Sequence, residues 1–302
     1  MPPAAAPPKP VRYDLLDPAE VARLGGIELV AQGVVEGFLS GLHRSPFRGF
    51  SVEFTEHRAY QPGDEPRYLD WRILGRTDRL FVKQFEEETN LRAMLLVDTS
   101  RSMAWRGPPP PERLSKREYA DRLAAALGLI LLRQRDATGL VTFDDDVREV
   151  VPPRVKPGQW ARIVQALLTT PDGQGTAAET ALRRLTGLLV RRGLVVFISD
   201  LLLDRELLLT ALRYLRHRGH QVTVFHLMDP AELELAGPPE VRFRDPESPS
   251  SIVVRPRDLA RAYRDTVRRE IDAWRHVCRR HGIAYHHVTT DQPFGLALRR
   301  LT

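Results

Sequence analysis

Between Pro18 and Leu42 the apolar residues Val21, Leu24, Leu29, Val30, Val34, Phe38 and Leu39 recur at helical spacing. Gly25–Gly26, Gly33 and Gly37 interrupt that run, so the pattern predicts one broken helix or two short ones. From Gly49 to Phe85 the texture changes. Phe50, Val52 and Phe54 alternate with polar neighbours, Gln61-Pro62-Gly63-Asp64 reads as a turn, and Leu80-Phe81-Val82 opens another extended run. A small β-rich unit is expected there.

From Leu91 onward strands and helices alternate. Ala93–Val97 is a continuous apolar run, as a strand covered on both faces requires. Tyr119–Arg133 reads as an amphipathic helix, and Gly139–Phe143 as a second strand that a short turn folds back into Val147–Val151 as an antiparallel hairpin. Helices over Gln159–Leu168, Ala177–Arg191 and Arg205–Arg218 flank strands at Leu194–Ile198 and Val222–Leu227. Glu240–Val254 is irregular, with the makings of a hairpin. Pro256–Arg280 is a long arginine-rich helix stopped by Gly282, and Ala284–Val288 is the last strand. Five strands separated mostly by helices, plus one hairpin edge strand, predict an α/β fold: a doubly wound, mostly parallel open sheet with helices on both faces. The expected organisation is a flexible proline-rich tail (1–10), an N-terminal helix and small β-rich unit (11–90), and the α/β domain (91–302).

Composition narrows the function. The chain has 302 residues, 42% of them hydrophobic, which is ample for a packed core. A net charge of +6 is spread over that length, so nucleic-acid binding is not the expected role. Of the 45 basic side chains only Lys9, Lys83, Lys116 and Lys156 are lysines, so arginine pairing with carboxylates dominates the surface chemistry. The single cysteine, Cys278, excludes an intrachain disulfide and a cysteine-rich zinc site. The longest apolar run, Leu123–Leu132, falls well short of the ~20 residues that a membrane span needs, and no signal-peptide core opens the chain. A cytoplasmic protein without membrane insertion is expected.

Doubly wound sheets bind ligands at the carboxyl ends of their strands. The first strand there ends in Asp98-Thr99-Ser100-Arg101-Ser102, the fourth in Ile198-Ser199-Asp200, and between them Gly173-Gln174-Gly175-Thr176 forms a glycine-flanked loop before a helix. Two carboxylates and three hydroxyls, with neither histidine nor cysteine, form a hard-oxygen donor set suited to Mg²⁺. Helix capping alone would not call for carboxylates at both strand ends.

Asp98-x-Ser100-x-Ser102, followed by Thr176 and Asp200, resembles the metal-ion-dependent adhesion site of von Willebrand factor type A domains. The resemblance implies Ser100, Ser102 and Thr176 as direct ligands of Mg²⁺ or another divalent cation. It places Asp98 and Asp200 close by or acting through water, and leaves an open position for a Glu or Asp of another protein. Ahead of the domain, Gly49–Phe54, Arg58-x-Tyr60-x-x-Gly63-Asp64 and Arg67-x-x-Asp70-Trp71-Arg72 resemble the signature of a bacterial family called domain of unknown function 58. Its members pair that segment with a type A domain. They are often encoded beside MoxR-type AAA+ ATPases, which implies a non-enzymatic partner or adaptor role. The signature's alternating charges, with Trp71 as an apolar anchor, suit a structural cluster better than a second active site.

Other signals carry less. Asp144-Asp145-Asp146 is expected to be a solvated hairpin tip, and Cys278-x-x-His281 with His286-His287 lacks the ligands of a zinc site. Arg261, Arg264, Arg268, Arg275 and Arg279, interspersed with acids, suit a solvated helix face laced with ion pairs. No nucleophile elbow, Walker loop or dinucleotide fingerprint is present. The alternatives to an interaction module are a Mg²⁺-dependent phosphohydrolase using Asp98 as nucleophile and a basic nucleic-acid-binding protein. In the first, Ser100 would stand where an acid is needed.

Overall fold

The computed structural model describes residues 18, 26–41, 54–59, 73, 75–76, 80–85, 91–107, 113–173, 178–235, 240–244 and 251–300. The chain divides into two compact units, Ser45–Leu91 in one, and Met1–Arg44 with Arg92–Thr302 in the other. In the smaller unit β1 (Phe54–Ala59) and β2 (Phe81–Phe85) pair antiparallel, with Arg58 opposite Val82. Of the signature residues, Arg58 is placed in β1; Tyr60, Gly63, Asp64, Arg67, Asp70, Trp71 and Arg72 lie outside the described residues.

In the larger unit Pro18 is helical, Gly26 lies outside any helix, and α1 (Ile27–Gly41) then runs unbroken through Gly33 and Gly37, where interruption was also expected. Gly33 and Gly37 are one turn apart and buried, so they are small residues on a packing face. That face also carries Val30, Val34 and Phe38. It packs against the first helix after β3 and against the C-terminal helix, so α1 groups with the sheet rather than with the β-rich segment that follows it.

The sheet is built from β3 (Arg92–Asp98), β4 (Ala137–Phe143), β5 (Val147–Arg154), β6 (Leu194–Ser199), β7 (Gln221–Met228) and β10 (Ala284–Thr289). Its order is β5-β4-β3-β6-β7-β10, parallel throughout except for β5, which returns antiparallel to β4. The chain winds outward from β3 in one direction and then from β6 in the other, so β3 and β6 are neighbours from which the crossovers diverge. The crevice at their carboxyl ends is the ligand-binding position of such sheets.

Both faces of the sheet are covered. Met94, Leu96, Phe143, Val195 and Phe197 pack with residues of α4 (Ala178–Leu188), α5 (Arg205–His217) and α7 (Pro256–Arg280). On the other face, α2 (Lys116–Arg133) lies on β3 and β4, and α3 (Gln159–Thr169) on β4 and β5. Burial on both sides explains why these strands read as unbroken apolar runs. Ser115 caps α2 through a reciprocal capping box with Glu118. Gly282, at φ +65°, ends α7 as expected. After β7 come the short α6 (Pro230–Leu233) and the hairpin β8 (Val241–Arg244)–β9 (Ser251–Val254); α8 (Phe294–Leu298) closes the chain. No helix among the described residues is long and apolar enough to cross a membrane.

The arginines of α7 are exposed, and Arg275 pairs with Asp272 while Arg205 reaches Glu270 at 3.1 Å, as a charged outer face requires. Cys278 is fully buried, and the described residues hold no group of three His, Cys, Asp or Glu suited to a metal.

On the face of β10 turned away from that helix, His286 packs against the Phe225 ring; burial pushes it down to about 4, and its Nε2 has no hydrogen-bond partner. The unfolded chain takes up this proton first, near the ordinary 6.5, so the contribution is intact above that pH and is lost as pH falls toward about 4. His286→Phe is therefore expected to lose less stability than wild type between pH 7 and pH 4.5 in urea titrations. Parallel losses would contradict this assignment.

Candidate functional site

Asp98, the last residue of β3, is fully buried at the crevice. Its Oδ1 accepts the Ser100 N–H at 2.9 Å, and its Oδ2 accepts the Ser199 hydroxyl at 2.6 Å, so a residue ending β6 grips the carboxylate that ends β3. Ser199 is itself fixed by the Leu201 N–H at 2.9 Å. The hydrogen bond to Ser100 folds the chain into the tight turn Arg101–Ala104, which brings the Ser100 and Ser102 hydroxyls to 3.1 Å from each other. The intervening Thr99 turns toward β4, its N–H and hydroxyl both donating to the Phe143 carbonyl, while Arg101 is exposed. The x positions of Asp98-x-Ser100-x-Ser102 therefore serve the scaffold and the solvent.

Asp200 follows β6 directly. The next residue, Leu201, is buried in the core yet has φ +57°, the left-handed region that non-glycine residues enter at a cost of about 1–3 kcal/mol. That bend turns the chain at the crevice, and Asp200 Oδ1 accepts the Leu202 N–H at 3.2 Å. Its Oδ2 accepts from the Lys116 ammonium at 2.8 Å, and the same ammonium donates to Glu232 Oε1 at 2.6 Å. Lys116 is 1% exposed at the first position of α2, with its charge 5.8 Å from the centre of the Trp105 ring. Glu232 is held by the capping box of α6, in which Asp229 donates its N–H to Glu232 Oε2 at 2.7 Å.

The electrostatics follow from burial. Desolvation, reinforced by the charge of Asp200, pushes Asp98 up to about 7 against the opposing hydrogen bonds of Ser199 and Ser100. Burial disfavours the charge of Lys116, but Asp200 and Glu232 outweigh it and the lysine ends above its ordinary value. Desolvation raises Glu232 despite the lysine beside it.

Asp98, Ser100 and Ser102 thus share one turn at the end of β3, and Asp200, at the end of the neighbouring β6, acts on Asp98 through its charge. Thr176 lies outside the described residues. The segment leading to it enters at this rim: the Gly173 N–H donates to the Thr99 carbonyl at 2.6 Å. A Cβ at 173 would stand 2.8 Å from that carbonyl and 2.6 Å from Asp144 Oδ2, so glycine is required by the approach.

Asp144 corrects the expectation of a solvated tip. Because β4 runs beside β3 and ends level with it, Asp144 is drawn into the rim, 1% exposed. Its Oδ1 accepts from Arg148 at 2.5 Å while its Oδ2 has no partner. Only Asp145 and Asp146 behave as outer residues, paired to Arg148 and Arg184.

The donor set fits a small divalent cation. All the groups are hard oxygens, and adjacent ligands of octahedral Mg²⁺ lie about 3 Å apart, which the two serine hydroxyls match at 3.1 Å. A cation there would also relieve the repulsion that drives Asp98 toward protonation. Sequence reasoning missed Ser199, Lys116 and Glu232. Ser199 is neighbour to Asp200 in the strand-end tripeptide, and Lys116 is one of four lysines in an arginine-rich chain; Glu232 carries no signal beyond its place in a helix cap.

A family model described as "Protein of unknown function DUF58" matches residues 56–276, a span that includes the Arg58–Arg72 signature and every strand-end residue named above. The chain belongs to the DUF58 family. Bacterial relatives include uncharacterized proteins of Mycobacterium bovis and Mycobacterium tuberculosis, each 31% identical over 275 residues, covering 89% of this chain and 83% of theirs. Solved structures similar to this DUF58 chain include BatB from Bacteroides thetaiotaomicron (17% identity, TM-score 0.44, 70% of this chain and 97% of that one). An aerotolerance-related membrane protein from Bacteroides fragilis gives 19% identity and a TM-score of 0.47, over 70% of this chain and 97% of that one. The SpRpn10 VWA domain gives 12% and 0.41, over 70% and 95%.

Ser199→Ala tests the grip between the two strand ends. It leaves Asp98 Oδ2 buried without a donor and is expected to cost roughly 1–3 kcal/mol in denaturant melts. An unchanged midpoint would remove Ser199 from the site.

Proposed function

We propose that this DUF58 protein is a divalent-metal-dependent protein-interaction module without catalytic activity. In this reading Ser100, Ser102 and Thr176 bind Mg²⁺ directly, Asp98 and Asp200 hold it through water, and a partner protein supplies a Glu or Asp to the remaining position. The observation that carries the reading is that the Asp98-x-Ser100-x-Ser102 turn ending β3 is held by Ser199, the residue before Asp200, at the end of the adjacent β6. The ion offsets the charge of the incoming carboxylate as it leaves water. The partner class, a MoxR-type AAA+ ATPase or its client in the cytoplasm, rests on the family resemblance alone.

The phosphohydrolase alternative needs Asp98 as an exposed nucleophile. Both of its oxygens already accept hydrogen bonds and the residue is fully buried, which suits a shaping role. The nucleic-acid alternative gains nothing from a rim whose buried charges are mostly acidic.

Mg²⁺ is expected to raise the melting temperature of wild type but not of the Ser100→Ala/Ser102→Ala double variant. Retention of a MoxR-type ATPase from the same genome should likewise be lost in chelator and in Asp98→Ala. Equal retention by wild type and Asp98→Ala in chelator would contradict the mechanism, and phosphoester turnover abolished by Asp98→Asn would favour the enzyme.

A further inference from the structure

One of the two carboxylates assigned to the metal already carries a protein cation. The Lys116 ammonium lies 2.8 Å from Asp200 Oδ2 and is 1% exposed, on a backbone fixed at the capped start of α2. The other Asp200 oxygen is engaged by the Leu202 N–H. Opposing this, Glu232 Oε1 takes the same ammonium at 2.6 Å from the α6 side and shares its charge. A buried positive charge in contact with one carboxylate repels a second cation there more strongly than it would in water.

We propose that Lys116 is an electrostatic competitor for the divalent cation, lowering the metal affinity of the strand-end site by drawing on Asp200, with Glu232 as the counterweight that limits this effect. The inference rests on the metal-binding reading and adds its regulation. The chain by itself holds the ion weakly, and a partner's carboxylate, by adding a ligand, makes up the deficit. By linkage the ion strengthens the partner's binding by the same factor. Shifting the lysine toward Glu232 strengthens the site, and shifting it onto Asp200 weakens it. Because Glu232 sits in the cap of α6, anything that moves α6 changes the metal affinity without touching a ligand.

The test is calorimetric titration of the full chain with Mn²⁺, paired with melts at each concentration. Lys116→Met is expected to bind Mn²⁺ at least about tenfold more tightly than wild type. Its melting temperature should rise further on saturation, since the freed Asp200 then depends on the metal. Lys116→Arg, which keeps the charge, should stay near wild type. Glu232→Gln, which leaves the lysine wholly on Asp200, should bind several-fold more weakly and serves if Lys116→Met does not melt cooperatively. Unchanged or weaker affinity in a folded Lys116→Met, or tighter binding by Glu232→Gln, overturns the proposal. Binding by wild type that survives Ser100→Ala/Ser102→Ala, or no binding by any form, overturns the metal reading and this inference with it.

Discussion

Like charges buried at one rim must be compensated, and the structure around the crevice is organised by that requirement. Asp98 and Asp200 lie at the ends of neighbouring strands, both buried and close enough that one charge acts on the other, which is costly unless hydrogen bonds or a cation offset it. Ser199 and the Ser100 amide serve Asp98, and the Leu202 amide and Lys116 serve Asp200. The compensation is incomplete at Asp98, which stays near 7. That residual demand at Asp98, beside the paired Ser100 and Ser102 hydroxyls, is the chemical basis on which we propose a cation site here.

The fold supplies the rigidity. Strands β3 and β6 are buried on both faces, so the residues at their ends have little freedom to separate. The left-handed Leu201 adds local strain there, and core packing holds it. Lys116 ties the start of α2 to the end of β6 and to α6, so three elements from distant parts of the chain meet on one ammonium.

The sheet was legible because a strand buried on both faces has no choice but to be apolar: Ala93–Val97 and Leu194–Ile198 announced themselves, and the Asp144–Asp146 turn gave the hairpin. The unbroken α1 was not, since glycine lowers helix propensity and only tertiary packing shows why Gly33 and Gly37 are there. Asp98, Ser100, Ser102 and Asp200 were readable because local spacing and strand ends placed them. Lys116 and Glu232 were not, because their encounter depends on where α2 begins relative to β6 and α6, which no local pattern encodes. Asp144 was misread for the same reason: three adjacent acids look solvated until the register of β4 beside β3 turns the first one inward.

The most direct measurement is anomalous diffraction from crystals grown or soaked with Mn²⁺, which locates the ion independently of any effect on stability or partner binding. The account predicts a single strong peak at the β3–β6 crevice, in direct contact with the Ser100 and Ser102 hydroxyls and with Asp98 and Asp200 one water away. A map with no peak at that position, at Mn²⁺ concentrations that fill ordinary surface sites, would contradict it.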